Sequence, residues 1–554
     1  MRILTTVLGL LVVTVTPVRG AEPTRTATGK HGMVVCVSPE AADVGLVVLK
    51  KGGNAVDAAV AVGFAMAVTY PAAGNVGGGG FMLVHPAAGE PTFFDYRETA
   101  PASVTRDTFV KTTSWFDHKA AGVPGTVRGL ELAHKKFGKL AWKDLVTPAV
   151  RLAADGFVLD EPMVRSLNLI LRARGGNDEF RARFGKDGGK TPWAVGDRLV
   201  QADLGKVLQR IADGGADAFY TGASADLLVA EMKAGGGYVT AEDLKAYRAV
   251  ERKPVRGTYR GYDVYGAPPP SSGGTAVVEV LNVLEAYDLK KLGAGSADAR
   301  HLMAEAMRRG FADRARHLGD PGFTKVPEFL TTKEHARKLA ADIDPAKASK
   351  SEAVAKDIPL TDEPPNTTHY SVIDKDGMAV SNTYTLEENY GSRVVVRGAG
   401  YILNNEMGDF NTRPGVTTRK GRIGTEPNLV APGKRMLSSM SPTILAKGGK
   451  VYLVTGSPGG RTIINTVLCV VTNVVDFDMD VRAAVDFPRQ HHQWFPDELR
   501  LETPDPAVVK KLEAMGHVVK SHRQGDAHSI LVDPKTGQYH GAADRRINGK
   551  AAGY

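Results

Sequence analysis

The sequence predicts a mixed α/β fold of the α+β kind, and three observations indicate it. Residues from about 120 to 250 and from 275 to 345 carry alanine, leucine, lysine and arginine at helical spacing. After residue 365 the pattern changes to short, β-branched runs bounded by glycine or Asp-Gly, which is typical of strands. A polar, proline-bearing segment at residues 346–365 joins the two parts, and we expect it to be exposed and mobile.

The length and composition are those of a large globular protein. The chain has 554 residues, of which 43% are hydrophobic and 24% are charged. This composition excludes disordered, collagen-like and coiled-coil chains. A single core stops growing at about 250–300 residues, so we expect two lobes or one large layered core.

The first part is predicted to open with a strand followed by two buried helices. Residues 32–38 form an apolar run of strand type, and residues 41–51 and 55–68 have the alanine, valine and leucine content of buried helices. Gly52-Gly53-Asn54 separates the two helices. Further on, a strand at residues 262–265 leads through a rigid Pro-Pro-Pro-Ser-Ser-Gly-Gly turn into a helix from about Thr275.

A run of four glycines, Gly77 to Gly80, indicates a place where backbone must lie close to another part of the molecule. The run lacks the Gly-x-Gly-x-x-Gly order and an immediately following helix, so we do not predict a phosphate-binding loop there. Residues 185–191 end in Gly-Lys-Thr, but Phe184 stands where a P-loop requires its first glycine. The sequence therefore predicts no nucleotide site.

The second part is predicted to be rich in strands. The turn Asp374-Lys375-Asp376-Gly377 ends in Asp-Gly, a pair that is typical of hairpin turns, and therefore indicates a hairpin. The predicted strands are residues 368–373, 378–384, 392–396, 451–454 and 529–532.

The beginning of the chain has the pattern of a secretory signal peptide. Met1-Arg2 precedes an apolar run at residues 3–15, and small residues follow at the exit, so we predict a signal peptide at residues 1–20 and a periplasmic or secreted protein. A retained membrane anchor is the alternative, but the run is shorter than the ~20 residues that a span requires. No later segment is long and apolar enough to span a bilayer.

Charge and cysteine content restrict the partners. The net charge of +9 is spread along the chain, with no basic block interleaved with aromatics, so we predict no nucleic-acid partner. Cys36 and Cys469 each lie in an apolar run and are expected to be buried free thiols, with a disulfide as the open alternative.

Thr367 is the predicted centre of the chemistry. The stretch Pro364-Pro365-Asn366-Thr367-Thr368-His369 leads from the polar segment directly into a strand. A threonine hydroxyl is a poor nucleophile unless a base lies beside it. If the chain is cut before Thr367, the new α-amine, with a pKa of about 8, supplies that base on the same residue. Spacing alone leaves an ordinary Thr-Thr strand start open.

The wider pattern resembles the γ-glutamyltransferase family of N-terminal nucleophile hydrolases, from about Gly32 to the C-terminal region. The matching motifs are Lys51-Gly52-Gly53-Asn54-Ala55-Val56-Asp57-Ala58-Ala59, the four-glycine run, Asp95-Tyr96-Arg97-Glu98-Thr99-Ala100-Pro101, Ala121-Gly122-Val123-Pro124-Gly125, Pro268-Pro269-Pro270-Ser271-Ser272-Gly273-Gly274, Thr367-Thr368-His369-Tyr370-Ser371, Asn404-Asn405-Glu406-Met407-Gly408-Asp409-Phe410, Leu437-Ser438-Ser439-Met440-Ser441-Pro442 and Thr455-Gly456-Ser457-Pro458-Gly459-Gly460.

The resemblance implies a four-layer α-β-β-α sandwich and a proenzyme that cuts itself. The Thr367 hydroxyl attacks the Asn366 carbonyl, and water hydrolyses the resulting ester. The products are a large subunit, residues 21–366, and a small subunit, residues 367–554, which remain together as a heterodimer.

The resemblance also implies how a γ-glutamyl donor such as glutathione is recognised. Arg97 holds the α-carboxylate of the donor through its planar guanidinium. Ser438 and Ser439 add hydroxyl bonds to the same carboxylate. The α-ammonium group faces acidic side chains, namely Glu406, Asp409 and Glu387. Taken without the motifs, Arg97 and Asp409 would be interpreted as a surface ion pair.

Catalysis follows from the same resemblance. Thr367 attacks the γ-amide carbon, and the N–H groups of Gly459 and Gly460 stabilise the oxyanion. Thr385 hydrogen-bonds the nucleophile. The γ-glutamyl ester is resolved by water, an amino acid or a dipeptide, with no metal or organic cofactor. An ordinary turn is the alternative interpretation of the Gly459-Gly460 stretch.

Several departures from the family pattern affect the details. Glu387 stands where many relatives carry Asn, and Arg393 stands where a small residue is usual. The lid region, residues 411–437, contains no Tyr or Trp, so we expect a site without an aromatic gate. Adjacent histidines at His491 and His492 point to opposite sides of a strand and are not expected to bind a metal.

Two alternative functions remain open at this stage. One is an acylase of the same fold that acts on glutaryl- or cephalosporin-type amides. The other is a processing-defective homologue that only binds. An ammonium-facing acid, Asp409, argues against the first alternative, and an intact Thr367 argues against the second.

Overall fold

The computed structural model describes residues 24–358, 361–362 and 368–554. Its strands are β1 (Thr26–Gly29), β2 (Gly32–Cys36), β3 (Gly79–His85), β4 (Thr92–Tyr96), β5 (Phe157–Val158), β6 (Arg198–Leu199), β7 (Val250–Arg252), β8 (Val255–Tyr259), β9 (Tyr262–Gly266), β10 (Thr361–Asp362), β11 (Thr368–Asp374), β12 (Ala379–Thr385), β13 (Gly421–Arg422), β14 (Thr443–Lys447), β15 (Lys450–Thr455), β16 (Gln490–His491), β17 (Leu499–Leu501), β18 (Val519–Ser521), β19 (His528–Val532), β20 (Tyr539–Ala543) and β21 (Lys550–Gly553).

Most of the helices precede residue 355. They are α1 (Pro39–Lys50), α2 (Ala55–Thr69), α3 (Thr126–Phe137), α4 (Trp142–Asp155), α5 (Glu161–Ile170), α6 (Asp178–Phe184), α7 (Ala202–Gly214), α8 (Asp217–Tyr220), α9 (Gly222–Gly235), α10 (Ala241–Ala246), α11 (Gly273–Leu284), α12 (Leu289–Leu292), α13 (Ala297–His317), α14 (Lys333–Ala341), α15 (Ser351–Val354), α16 (Thr462–Val475), α17 (Val481–Asp486) and α18 (Pro506–Ala514).

Two seven-stranded antiparallel sheets form the centre of the fold. The first sheet has the order β21-β2-β11-β12-β3-β4-β7, and the second has the order β1-β20-β19-β15-β14-β9-β8. Each sheet contains strands from both sides of residue 367, so the two predicted subunits share both sheets. The mixed α/β class predicted from the sequence is confirmed.

Alternation along the strands builds the four layers. In β3, Phe81 and Leu83 pack between the two sheets, whereas Met82 and Val84 pack against the helices outside the first sheet. Helices α1, α2 and α3 contact that outer face, and α11 and α17 contact strands of the second sheet. The order is therefore α-β-β-α, which confirms the layered sandwich. Each large apolar side chain buried in these layers stabilises the fold by about 1.5–3 kcal/mol.

The hairpin predicted at residues 373–377 is confirmed. Strands β11 and β12 pair antiparallel from Thr368 opposite Tyr384 to Ile373 opposite Ala379. Gly377 has φ +87°, a left-handed conformation that glycine adopts without a steric penalty.

Two local expectations are wrong. Residues 392–396 do not form a strand, because Arg393 has φ +57° and only Val395 makes a bridge, to Ile402. The segment from residue 346 to residue 358 is not simply exposed. Ser351 is fully buried there, and its carbonyl accepts a hydrogen bond from the Trp494 indole at 2.8 Å.

The remaining general predictions concern cysteines and membrane spans. Cys36 and Cys469 are both buried and free, as expected. Among the helices that the structure describes, none has the length and apolar character needed to cross a bilayer. The predicted signal peptide, residues 1–20, lies outside the described residues.

Candidate active site

In the sequence, the predicted cleavage point is followed at once by a central strand of the first sheet. Asn366 and Thr367 themselves lie outside the described residues. Their neighbour Thr368 begins β11, which pairs with β2 on one side and β12 on the other. Thr385 ends β12, directly after the residue that pairs with Thr368. The Thr385 hydroxyl is buried and accepts a hydrogen bond from the Glu387 N–H at 2.8 Å.

The four-glycine run approaches this strand end closely, as predicted. A Cβ on Gly78 would lie 2.1 Å from the Thr385 carbonyl oxygen. A Cβ on Gly79 would lie 2.7 Å from a Glu98 carboxylate oxygen. Real Cβ contacts of this kind do not occur, so only glycine permits the backbone to pack here.

Gly459 and Gly460 place two backbone N–H groups side by side before α16. They connect β15 to α16 with φ angles of +123° and +56°. Their carbonyl oxygens accept hydrogen bonds from α16, but neither N–H donates to any residue in the described part of the chain. The N-terminus of α16 follows at once, and helix N-termini favour negative charge. The arrangement can therefore stabilise an oxyanion.

Arg97 is completely buried at the end of β4 and lies among acidic side chains. Its Nη1 lies 2.6 Å from a Glu406 carboxylate oxygen, and its Nη2 forms an ion pair with Asp409. Nη1 also lies 3.5 Å from Glu98. The Nε donates to the Met436 carbonyl oxygen at 3.3 Å. The structure thus brings together three of the predicted substrate residues, as a buried cluster rather than a surface pair.

Burial controls the protonation of this cluster. It raises the pKa of Glu406 well above its usual range, although the Arg97 guanidinium opposes the shift. Burial and the Asp409 carboxylate raise the pKa of Glu387 in the same direction. Burial also raises the pKa of Glu98 to about 8, again against the attraction of Arg97. The cluster therefore holds protons that a cationic group can displace.

A small, partly open cavity lies beside the cluster. Glu387, Asp409 and Ser439 line the cavity together with Arg314 and Arg461. The lid region contributes further lining residues, namely Asn411, Thr412, Arg422, Ile423, Thr425, Asn428 and Leu437. The aromatic residue that lines the cavity is Phe410, which directly precedes the lid region.

The two predicted serines follow Leu437 in a segment held by the turn before α11. Ser272 donates from its N–H and its hydroxyl to the Ser438 carbonyl oxygen, at 2.8 and 2.6 Å. The Ser438 hydroxyl accepts from the Met440 N–H at 3.0 Å. The Ser439 hydroxyl accepts from Arg314 Nη2 at 3.1 Å, on the wall of the cavity.

Arg314 is the residue at this site that the sequence analysis missed. It lies near the end of α13, is buried, and donates to Ser439 and to the Ser272 hydroxyl at 2.8 Å. Burial and the nearby Arg461 charge lower the pKa of Arg314 to about 9. In the sequence Arg314 looks like one of several arginines on a helix, and no spacing distinguishes it. Only the fold shows that it faces Ser439.

Comparisons with known proteins agree with this architecture. The family model described as Gamma-glutamyltranspeptidase matches residues 41–554. The chain is 48% identical over 537 residues to the glutathione hydrolase proenzyme of Escherichia coli strain K12, covering 95% of this chain and 92% of that protein.

Two solved structures superpose on this chain. A cephalosporin acylase from Bacillus halodurans superposes with a TM-score of 0.84 at 27% identity, covering 98% of this chain and 99% of that chain. The Helicobacter pylori gamma-glutamyltranspeptidase superposes with a TM-score of 0.55 at 42% identity, covering 56% of this chain and 91% of that chain.

Proposed function

The chain belongs to the γ-glutamyltranspeptidase family, and from this premise we propose that it is a self-processing glutathione hydrolase and γ-glutamyltransferase. The observation that carries the proposal is the 48% identity to a glutathione hydrolase proenzyme over 95% of this chain. The buried Arg97–Glu406–Asp409 cluster beside the cavity supports it, because it offers both signs of charge to an amino-acid head group.

Maturation begins with attack of the Thr367 hydroxyl on the Asn366 carbonyl carbon. The peptide C–N bond breaks, the Thr367 nitrogen takes a proton, and the acyl group passes to the oxygen as an ester. Water hydrolyses the ester and leaves Asn366 with a carboxylate and Thr367 with a free amine. The large subunit, residues 21–366, and the small subunit, residues 367–554, stay together because both contribute strands to each sheet.

The donor is recognised through its zwitterionic end. Arg97 and the hydroxyls of Ser438 and Ser439 receive the α-carboxylate. Asp409, Glu406 and Glu387 receive the α-ammonium, which displaces protons from the carboxyl groups whose pKa burial raises. Both charges of the head group are then paired away from water, where such bonds are strongest.

Arg314 acts as a positioning residue in this scheme. By donating to Ser439 and Ser272 it fixes the orientation of the Ser439 hydroxyl, whose proton then points to the donor carboxylate. Its buried positive charge also favours an anion in the cavity, because it has no carboxylate partner within hydrogen-bond distance among the described residues.

The chemical steps use the free amine of Thr367 as the base. The Thr367 hydroxyl attacks the γ-amide carbon while the amine accepts its proton, and Thr385 orients the hydroxyl. The N–H groups of Gly459 and Gly460 stabilise the tetrahedral oxyanion. Collapse breaks the amide C–N bond, and the leaving amine, cysteinylglycine from glutathione, takes the proton. Water or the amine of an amino acid or dipeptide then attacks the ester and releases glutamate or a new γ-glutamyl amide.

A second candidate is an amide acylase, and the superposition on a cephalosporin acylase favours it. A glutaryl group has no α-ammonium, so Asp409 and Glu406 would gain no cationic partner from such a substrate. Binding would then leave the acidic side of the cluster uncompensated. We therefore place glutaryl amides second to γ-glutamyl amides.

We also propose export of the protein to the periplasm or the medium through the signal peptide at residues 1–20. There the enzyme meets free glutathione and amine acceptors.

The deciding experiment compares two donors that differ only in the α-ammonium group. Purified processed protein is incubated with a γ-glutamyl anilide or the corresponding glutaryl anilide, and aniline release is measured. A hydrogen bond to a charged group contributes about 1.5–3 kcal/mol, so the γ-glutamyl anilide should react about 10–100-fold faster in kcat/KM. Equal or faster reaction of the glutaryl anilide would support the acylase instead. Adding glycylglycine to glutathione and measuring free glutamate against γ-glutamyl dipeptide identifies the acceptor.

A further inference from the structure

Three metal-ligating side chains meet on the helices outside the second sheet. Glu279 lies on α11, Asp313 on α13 and His335 in the first turn of α14. One donor atom from each lies within 4.8 Å of the other two. His335 Nε2 lies 2.8 Å from Asp313 Oδ2 and 3.5 Å from Glu279 Oε1. The candidate active site uses none of these three residues.

Glu279 supplies the observation that points to a ligand. Its side chain is 1% exposed, and its Oε1 has no hydrogen-bond partner within the described ranges. A buried polar atom left without a partner destabilises the fold, and more so when it is charged. This oxygen faces His335 Nε2, so a cation held between the two side chains would satisfy it.

The charged residues around the cluster leave Asp313 Oδ2 and Glu279 Oε1 available to a divalent ion. Arg316 forms an ion pair with Asp313 through Oδ1, which leaves Oδ2 directed at His335. The same guanidinium makes two bonds of 2.8 Å to Asp357. Since Asp357 balances Arg316, the carboxylate of Asp313 keeps its negative charge in the cluster, and Glu279 would add a second one when an ion displaces its proton.

We propose that Glu279, Asp313 and His335 bind a divalent transition-metal ion, with Zn²⁺ preferred. Zinc binds carboxylate oxygen and imidazole nitrogen at about 2.0–2.2 Å in tetrahedral geometry, which places the donor atoms about 3.3–3.6 Å apart. The 3.5 Å between His335 Nε2 and Glu279 Oε1 lies in this range, and the 2.8 Å between His335 Nε2 and Asp313 Oδ2 is shorter, so these two atoms would move apart when the ion binds. His335 is 17% exposed, so ions can enter and a water molecule can occupy the fourth position.

The ion would add a direct link among three helices that already share the His335–Asp313 hydrogen bond. It would displace the protons that burial and the Asp313 carboxylate favour on Glu279. The expected consequence is a structural clamp, since an ion that binds only the folded state raises the thermal midpoint of unfolding. Protons and zinc therefore compete for the same three side chains.

The experiment measures zinc binding to the processed, untagged protein after treatment with a chelator. Titration calorimetry with ZnCl₂ is performed on the wild type, Glu279→Gln and His335→Gln. His31→Gln, which removes an exposed histidine elsewhere, is the matched control. We expect one equivalent of Zn²⁺ to bind the wild type and the control, with affinity at least about tenfold weaker in both cluster variants. Mn²⁺ should bind more weakly, following the usual order of metal affinities.

Two readouts separate loss of the site from loss of the fold. Hydrolysis of a γ-glutamyl anilide should continue in Glu279→Gln and His335→Gln, and the zinc-dependent rise in the thermal midpoint should disappear. The proposal is overturned if the wild type binds no zinc, or if either cluster variant binds it as tightly as the wild type does. Asp313 is not substituted, because its neighbour Arg314 lines the cavity.

Discussion

Arg314 Nη2 donates a hydrogen bond to the Ser439 hydroxyl oxygen at 3.1 Å. The two residues lie on opposite sides of the predicted cleavage point, so the bond links the proposed large subunit to the proposed small subunit. The same guanidinium holds Ser272, which in turn holds the Ser438 backbone. The buried Arg314 side chain on α13 thus orients the segment that carries Ser438 and Ser439.

Replacing Arg314 should weaken donor binding more than the chemical step. Arg314→Met keeps the length of the side chain but removes both donors, so the Ser439 hydroxyl loses its fixed orientation. A hydrogen bond contributes about 1 kcal/mol, and we expect the KM for a γ-glutamyl anilide to rise about fivefold with a smaller change in kcat.

Arg316→Met is the control for this prediction. Arg316 lies on the same helix but pairs with Asp313 and Asp357, away from Ser439. Its loss should leave KM near the wild-type value. Equal effects of both variants on KM would show that Arg314 acts only through helix stability.

Asp409→Asn should lower kcat/KM for the γ-glutamyl anilide by about 10–100-fold, because the donor ammonium loses a charged acceptor worth about 1.5–3 kcal/mol. The glutaryl anilide has no ammonium group, so its kcat/KM should fall much less. The measurement is the ratio of kcat/KM for the γ-glutamyl anilide to kcat/KM for the glutaryl anilide.

Glu426→Gln serves as the matched acidic control. Glu426 lies in the lid region that follows Asp409 in the chain, but it is 74% exposed and pairs with Arg106 on the surface. Its replacement should leave the donor ratio unchanged. If Asp409→Asn lowers kcat/KM equally for both donors, Asp409 does not face the ammonium group.

The strands of the second part were the most predictable elements of the fold. The predicted strands at residues 368–373 and 378–384 correspond to β11 and β12, and the Asp-Gly turn between them marks the hairpin in the sequence itself. Residues 392–396 have the same β-branched character, yet Arg393 adopts a left-handed conformation there. Its guanidinium lies 3.8 Å from the centroid of the Phe116 ring, a contact that sequence cannot show.

The site was predictable only in part, for a physical reason. Arg97 and Asp409 are 312 positions apart and meet only because β4 ends beside the lid region. Motif resemblance could pair them, whereas spacing could not. Glu279 lies on α11, which packs on the second sheet, and Arg314 lies on α13, which packs on α11. A helical pattern alone gives no indication that these charged residues face inward.

Acid should destabilise the protein through its buried histidines. His528 is fully buried, and among the described residues neither ring nitrogen has a hydrogen-bond partner. Burial lowers the pKa of His528 to about 4, although Asp544 opposes the shift and Arg489 and Arg482 add to it. An unfolded chain protonates histidine below about pH 6.5. Between pH 6.5 and 4 the unfolded state therefore binds more protons, and the free energy of unfolding falls as pH falls, by up to about 1.4 kcal/mol per pH unit.

His528→Gln should make the thermal midpoint less sensitive to pH in this window. The midpoint is measured at several pH values between 4 and 7 at one scan rate, and the slopes are compared rather than the absolute values. The exposed His31→Gln variant should keep the wild-type slope. An unchanged slope in His528→Gln would mean that His528 is not neutral in the folded protein.

Thr367 makes the sharpest prediction, because one hydroxyl performs both proposed reactions. Thr367→Ala has no nucleophile, so a denaturing gel should show a single uncut chain, and γ-glutamyl anilide hydrolysis should be absent. Thr367→Ser keeps the hydroxyl and should still give two bands, with the smaller chain starting at residue 367 and with measurable, slower turnover. The pair separates chemistry from packing, since serine and alanine both remove the threonine methyl group. Cleavage or hydrolysis that survives in Thr367→Ala would assign the nucleophile to another residue.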